Sequence, residues 1–85
     1  MPAKESHRVN PAEIAIDVIA RISGATPQSI TPDMELVADL DMDSAKALEL
    51  MVELEDRFGV EIGDDDAARM NTVRDILDTV ATLTS

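Results

Sequence analysis

Three stretches of this chain repeat apolar residues at helical spacing, and no stretch alternates them as a half-buried strand would. In the first, Ile14, Ala15, Val18, Ile19 and Ile22 fall on one face, with Glu13, Asp17 and Arg21 on another. In the second, Ala47, Leu50, Met51, Leu54 and Phe58 project within about one third of the helical circumference. Val73, Ile76, Leu77, Val80 and Leu83 share a face in the third. A helix with one apolar stripe is stable only when that stripe is covered, and the available covers here are the other two stripes. The pattern therefore predicts an all-α bundle.

The residues between the stripes punctuate them. Asn10, Pro11 and Glu13 give a helix start: an N-cap, a proline at the first helical position and a capping-box glutamate. Val9 and Ile14 form a candidate hydrophobic staple across it. Gly24 and Gly59 stand where left-handed C-caps close the first and second helices. After Gly59, Val60 and Ile62 are expected to pack inward, and Asp64, Asp65 and Asp66 place carboxylates at the start of a short helical segment running to about Met70. Thr72 and Asp75 mark another capped start. The expected architecture is thus a four-helix bundle of three longer helices and one short helix. The stretch Ala25–Asp43, with Pro27 and Pro32, is a long loop between the first two, and Ile30, Leu36 and Leu40 can tack it onto the core. Residues 1–9 show no periodicity and read as a flexible N-terminal arm, which leaves 10–85 as a single helical domain.

An 85-residue chain that is 45% apolar can bury one core without staples. It has no cysteine, which excludes disulfides, thiolate catalysis and cysteine zinc sites. The simplest compartment is the cytoplasm, and a monomer is expected. No apolar run approaches the length of a membrane span, and Met1 to Arg8 lacks the apolar stretch of a signal peptide. The net charge of −11 is concentrated: Asp33 to Asp66 holds 13 acidic residues against Lys46 and Arg57, while the remainder balances. Such a segment argues against nucleic acid or anionic membrane as partner and for basic protein surfaces. On the second helix, Leu48 and Val52 project away from the core face, near Ala45 and among Glu49, Glu55 and Asp56. They form a small apolar spot with an acidic rim, a candidate docking surface.

Ser44 lies inside the acidic segment, where the loop runs into the second helix. Either Ser44 caps that helix itself, or Asp43 does so and leaves the serine hydroxyl free. A serine hydroxyl is a poor nucleophile without a base, and the only histidine, His7, sits in the polar arm. Ser44 is therefore better read as an attachment point than as a catalyst.

Asp41, Met42, Asp43 and Ser44 together resemble the DxDS phosphopantetheine-attachment motif of acyl carrier proteins. Glu49 to Ile62, including Phe58, Gly59 and Ile62, is similar to that family's second helix and its FGxxI exit, and Ile30 to Asp33, Leu36, Asp39 and Leu40 resemble its loop. The likeness runs from about Asn10 to Val80. It departs at Asp41, where the family usually has glycine, and at Ala45, where it usually has leucine. Lys46 stands where the family often has an acid.

The resemblance implies that a phosphopantetheinyl transferase, using magnesium, moves 4′-phosphopantetheine from coenzyme A onto Ser44, with Asp41 and Asp43 flanking it. Acyl groups would then ride as thioesters on that arm, for fatty acid, polyketide or specialised acyl-chain biosynthesis, while acyl-transferring, condensing or modifying enzymes act on them. It also implies a non-catalytic carrier whose Ala45, Leu48, Glu49, Val52, Glu55 and Asp56 meet its partners. Only Phe58 is aromatic, so the core rests on aliphatic side chains with Met51 and Met70 as flexible gap fillers. An acyl chain is expected to slide in among Leu50, Met51, Leu54, Phe58 and Ile76. Two other readings compete. Asp39, Asp41 and Asp43 imitate the first ligands of an EF-hand, but Ser44 stands where that loop turns on glycine and Leu50 where it needs a bidentate glutamate. No metal site is expected. The chain can also be read as an acidic protein-interaction or weak cation-binding helical module without a prosthetic group.

Overall fold

Three helix starts follow from side-chain caps, and the ends of the first two helices from glycines that bond through the backbone. In the computed structural model, which describes residues 10–84, α1 spans Pro11–Ser23. The Asn10 side-chain oxygen accepts the Glu13 N–H at 2.9 Å. Gly24 closes α1 at φ 85°, donating its N–H to the Ala20 carbonyl. α2 spans Ser44–Phe58, capped by Asp43 and closed by Gly59 at φ 65°. α3 is a single turn and a half over Asp64–Ala68, ending two residues short of Met70. α4 spans Val73–Thr84. At its start Asp75 accepts the Thr72 N–H at 3.0 Å while the Thr72 hydroxyl accepts the Asp75 N–H at 3.2 Å, a reciprocal capping box. The arm expected over 1–9, and the Val9 half of the staple, lie outside the described residues.

α1 is the central element and packs against both α4 and α2. Ala15, Val18 and Ile19 of α1, Leu50 and Leu54 of α2, and Val73, Ile76 and Val80 of α4 are at most 2% exposed. Truncating one of these to alanine costs about 2–5 kcal/mol where a leucine or isoleucine is lost. The α1 stripe is rotated from the expected one: Ala20 is buried and Ile16 packs against the core, while Ile14 is only half-buried. Phe58, Met51, Leu77 and Ile62 are half-buried against the same core, and Val60 and Leu83 are half-buried as well.

The long loop is ordered by its apolar residues. Ile30, Leu36 and Leu40 are buried as expected, and Met42, not foreseen, is 2% exposed. A 3₁₀ turn over Pro27–Ser29 breaks the loop near its start. Further on, the loop bonds to the start of α4: the Leu36 N–H donates to the Asn71 carbonyl at 3.0 Å, Val73 to Met34 at 3.0 Å and Arg74 to Pro32 at 2.9 Å. Glu35 and Thr72 form an isolated antiparallel bridge, too short to need a strand pattern. An exposed ion pair, Arg74 to Asp33 at 2.7 Å, lies beside it. No helix among the described residues is long and apolar enough to cross a membrane.

Candidate functional site

The loop ends in a reversal that fixes where α2 begins. Asp39 turns its carboxylate onto the Glu35 N–H at 2.7 Å. Asp41 takes up the left-handed region at φ 56° and donates its N–H to Val37, and the Met42 N–H then reaches back to the Leu36 carbonyl at 3.0 Å. A side chain is strained there, and aspartate is one of the few residues that tolerates it. Met42 is buried directly after, and Asp43 accepts the Lys46 N–H at 2.9 Å, so the cap is the aspartate and not the serine.

Ser44 is the first residue of α2 and is exposed. Among the described residues its hydroxyl has no hydrogen-bond partner. A phosphate ester there meets the positive end of the helix dipole, against the opposing charges of Asp41 and Asp43. Asp39 and Asp43 are each committed to a backbone N–H, and among the described residues no acidic cluster converges as a cation site.

Two depressions open from Ser44. A cleft of about 310 Å³ is lined by Leu36, Ala47, Leu48, Leu50, Met51, Ala67 and Met70 together with the serine. Of the residues expected to line a chain pocket, Leu50 and Met51 are on this cleft, Leu54 and Ile76 are fully buried in the core, and Phe58 is half-buried beyond Leu54. Leu36, Ala47 and Ala67 were not anticipated as its walls. Their placement depends on how the loop and α3 fold over α2, which periodicity within one helix does not encode. On the loop side of Ser44, a groove of about 460 Å³ runs along Glu35, Val37, Met42 and Asn71. The exposed spot on α2 is present, with Leu48 66% and Val52 57% exposed, and Ala45, Glu49 and Asp56 exposed around it. It forms one wall of a groove of about 570 Å³ whose other wall is Arg21 and Ile22 of α1.

Two acidic residues of α2 are occupied. Glu53 pairs with Arg21 across the helices and with Arg57 at 3.2 Å one turn on. The Arg21 hydrogen bond, aided by both guanidinium charges, holds its carboxyl below the usual glutamate value. Glu55, expected on the docking surface, is half-buried and accepts the Ile62 N–H at 2.8 Å, so it also anchors the turn that follows α2.

An exposed serine with an unpartnered hydroxyl, set at a helix start between an apolar cleft and a mixed groove, fits a prosthetic group joined through a phosphodiester. The family model described as phosphopantetheine attachment site matches residues 13–80. A meromycolate extension acyl carrier protein from Mycobacterium leprae is 41% identical over 61 residues, 72% of this chain and 53% of that one, so the chain spans about half the length of that relative. An acyl carrier protein from Syntrophobacter fumaroxidans is 44% identical over 66 residues, 78% of this chain and 82% of the relative. A solved structure from Mycobacterium tuberculosis, provisionally described as an acyl carrier protein, superposes with a TM-score of 0.75 at 42% identity, covering 84% of this chain and 96% of the other.

Proposed function

The chain belongs to the acyl carrier protein family, whose prosthetic group is phosphopantetheine, and on that premise we propose that it carries acyl groups on a 4′-phosphopantetheine arm esterified to Ser44. The observation that carries the reading is the Ser44 hydroxyl: exposed, without a partner among the described residues, and held at the start of α2 by the burial of Met42 and the cap of Asp43. In the transfer, Ser44 Oγ bonds to the phosphorus of the pantetheine-bearing phosphate of coenzyme A. The pyrophosphate bond breaks, adenosine 3′,5′-bisphosphate leaves, and the hydroxyl proton passes to the transferase. The bound arm supplies a thiol, which this sequence lacks. The chain itself contributes position, not bond making, and is a non-catalytic carrier.

Partner enzymes with basic faces dock on Leu48 and Val52, with Ala45, Glu49 and Asp56 around them and Glu55 at the lower end. The acidic charge between Asp33 and Asp66 supports this, as does the exposure of the two apolar residues. The cleft toward Leu50 and Met51 shields the first part of the acyl chain, and the relative named for meromycolate extension supports a long fatty acyl cargo. To test the carrier role, arm-bearing protein is incubated with a fatty acid, ATP and an acyl-activating enzyme. An acyl mass that neutral hydroxylamine removes is expected. An arm whose thiol takes up no acyl group refutes the proposal.

A further inference from the structure

The two depressions that open from Ser44 differ in chemistry. The cleft toward Leu50 and Met51 is apolar apart from the serine, whereas the groove on the loop side sets Glu35 and Asn71 beside Val37 and Met42. They share Leu36, Ala47 and Met70 as well as the serine, and differ in the rest of their walls. The groove's rim is pinned by backbone bonds, Leu36 to Asn71 and Met42 to Leu36, each 3.0 Å, and by the Glu35–Thr72 bridge. The Asn71 and Thr72 N–H groups are in turn held by Asp75. On the cleft alone, Ala67 belongs to the five-residue α3, which has no side-chain cap.

We propose that the loop-side groove seats the pantetheine portion of the arm, leaving the apolar cleft to the acyl chain. This rests on attachment at Ser44. Pantetheine carries two amides, a hydroxyl and a geminal dimethyl group. An amide drawn into the apolar cleft loses its water partners and finds none there. In the groove, the exposed Asn71 carboxamide offers a donor and an acceptor, and the exposed Glu35 carboxylate accepts an amide N–H. Val37 is 72% exposed, the highest of the large apolar side chains among the described residues, and gives the dimethyl group an apolar neighbour. A volume of about 460 Å³ is of the size that small-molecule sites have, roughly 300–1,000 Å³. Because Ser44 itself lines the groove, the tether keeps the arm at high effective concentration, and individually weak contacts suffice. An enzyme that draws the thiol into its own active site must first empty this groove.

The test uses arm-bearing protein labelled with ¹³C and ¹⁵N on the chain only, with mass spectrometry confirming the arm on Ser44 in each sample. Nuclear Overhauser contacts are expected from the arm to the Val37 methyls and the Asn71 side-chain amide. In Val37→Ser and Asn71→Ala, both with unchanged circular dichroism, these contacts are lost and the arm thiol reacts faster with a disulfide reagent than in the parent protein. Contacts confined to residues beside Ser44, or equal thiol reactivity in all three proteins, overturn the groove while leaving the carrier reading intact. Absence of any added arm overturns both.

Discussion

Replacing Asp41 with glycine should stabilise the protein, although it removes a side chain close to Ser44. Asp41 sits at φ 56° and is exposed, so it contributes strain and little burial. Left-handed backbone costs a residue with a Cβ about 1–2 kcal/mol, with aspartate toward the lower end because its short polar side chain tolerates the region. Glycine removes that cost but adds about 0.5 kcal/mol or more of freedom to the unfolded chain. Loss of one carboxylate from a segment that also holds Asp39 and Asp43 adds a small gain. The net expectation is about 0.5 kcal/mol, a rise in melting temperature of roughly 2–4 °C for a domain of this size. Asp41→Asn separates charge from backbone, since asparagine tolerates the same region without the charge. Asp41→Val places a branched residue there and should lower the melting temperature by roughly 4–8 °C. Thermal unfolding followed by circular dichroism reads all three. A glycine variant no more stable than the asparagine one, together with an unaffected valine variant, refutes the claim that the turn is strained.

The remaining predictions concern docking, acid stability and cargo. With a basic partner enzyme, the association rate should fall with added salt, and Glu49→Lys with Asp56→Lys should slow it and flatten the salt response; matching salt profiles count against steering. Asp56 is preferred to Glu55 for this, because Glu55 also holds the Ile62 N–H. The N–H groups of Asn71 and Thr72, with lesser help from the Thr72 hydroxyl and the Arg74 charge, hold the Asp75 carboxyl below its ordinary value. Its folded-state pKa is therefore depressed, so its contribution is whole above the unfolded value of about 3.9 and is lost as pH falls through the folded one. Asp75→Asn should thus narrow the stability gap between neutral pH and pH below about 4, and an unchanged acid profile would show that the carboxylate charge is irrelevant there. Loading saturated chains of increasing length should shift the NMR signals of Leu50 and Met51 and raise the melting temperature until the cleft fills, at up to about 0.8 kcal/mol per buried methylene. Signals that move only beside Ser44 would mean the chain stays in water.

What the sequence disclosed was the local part of the structure. Asn10, Thr72 with Asp75, Gly24 and Gly59 act on backbone groups within a few residues, and each cap appears where the residue types placed it, while at α2 the fold chose Asp43 over Ser44. The stripes of α2 and α4 were likewise legible, because a helical face is set by spacing alone. What escaped depends on partners far along the chain. Leu36 meeting Asn71, Glu35 bridging Thr72 and Arg21 reaching Glu53 have no signature in spacing. Burial of Met42 and Ala20 followed from the same packing. At the site, Ser44 and the spot at Leu48 and Val52 were readable from one helix. The loop wall at Val37 and the α1 wall at Arg21 and Ile22 required the fold.

The claim on which the rest depends is that Ser44 is the point of attachment. Protein without the arm is incubated with coenzyme A, magnesium and a broad-specificity phosphopantetheinyl transferase, and intact and peptide masses are recorded for wild type and Ser44→Ala. The expected result is one arm per chain, on the peptide holding Ser44, and none on the variant. No addition to wild type, or an arm on Ser6, Ser23, Ser29 or Ser85, would contradict it.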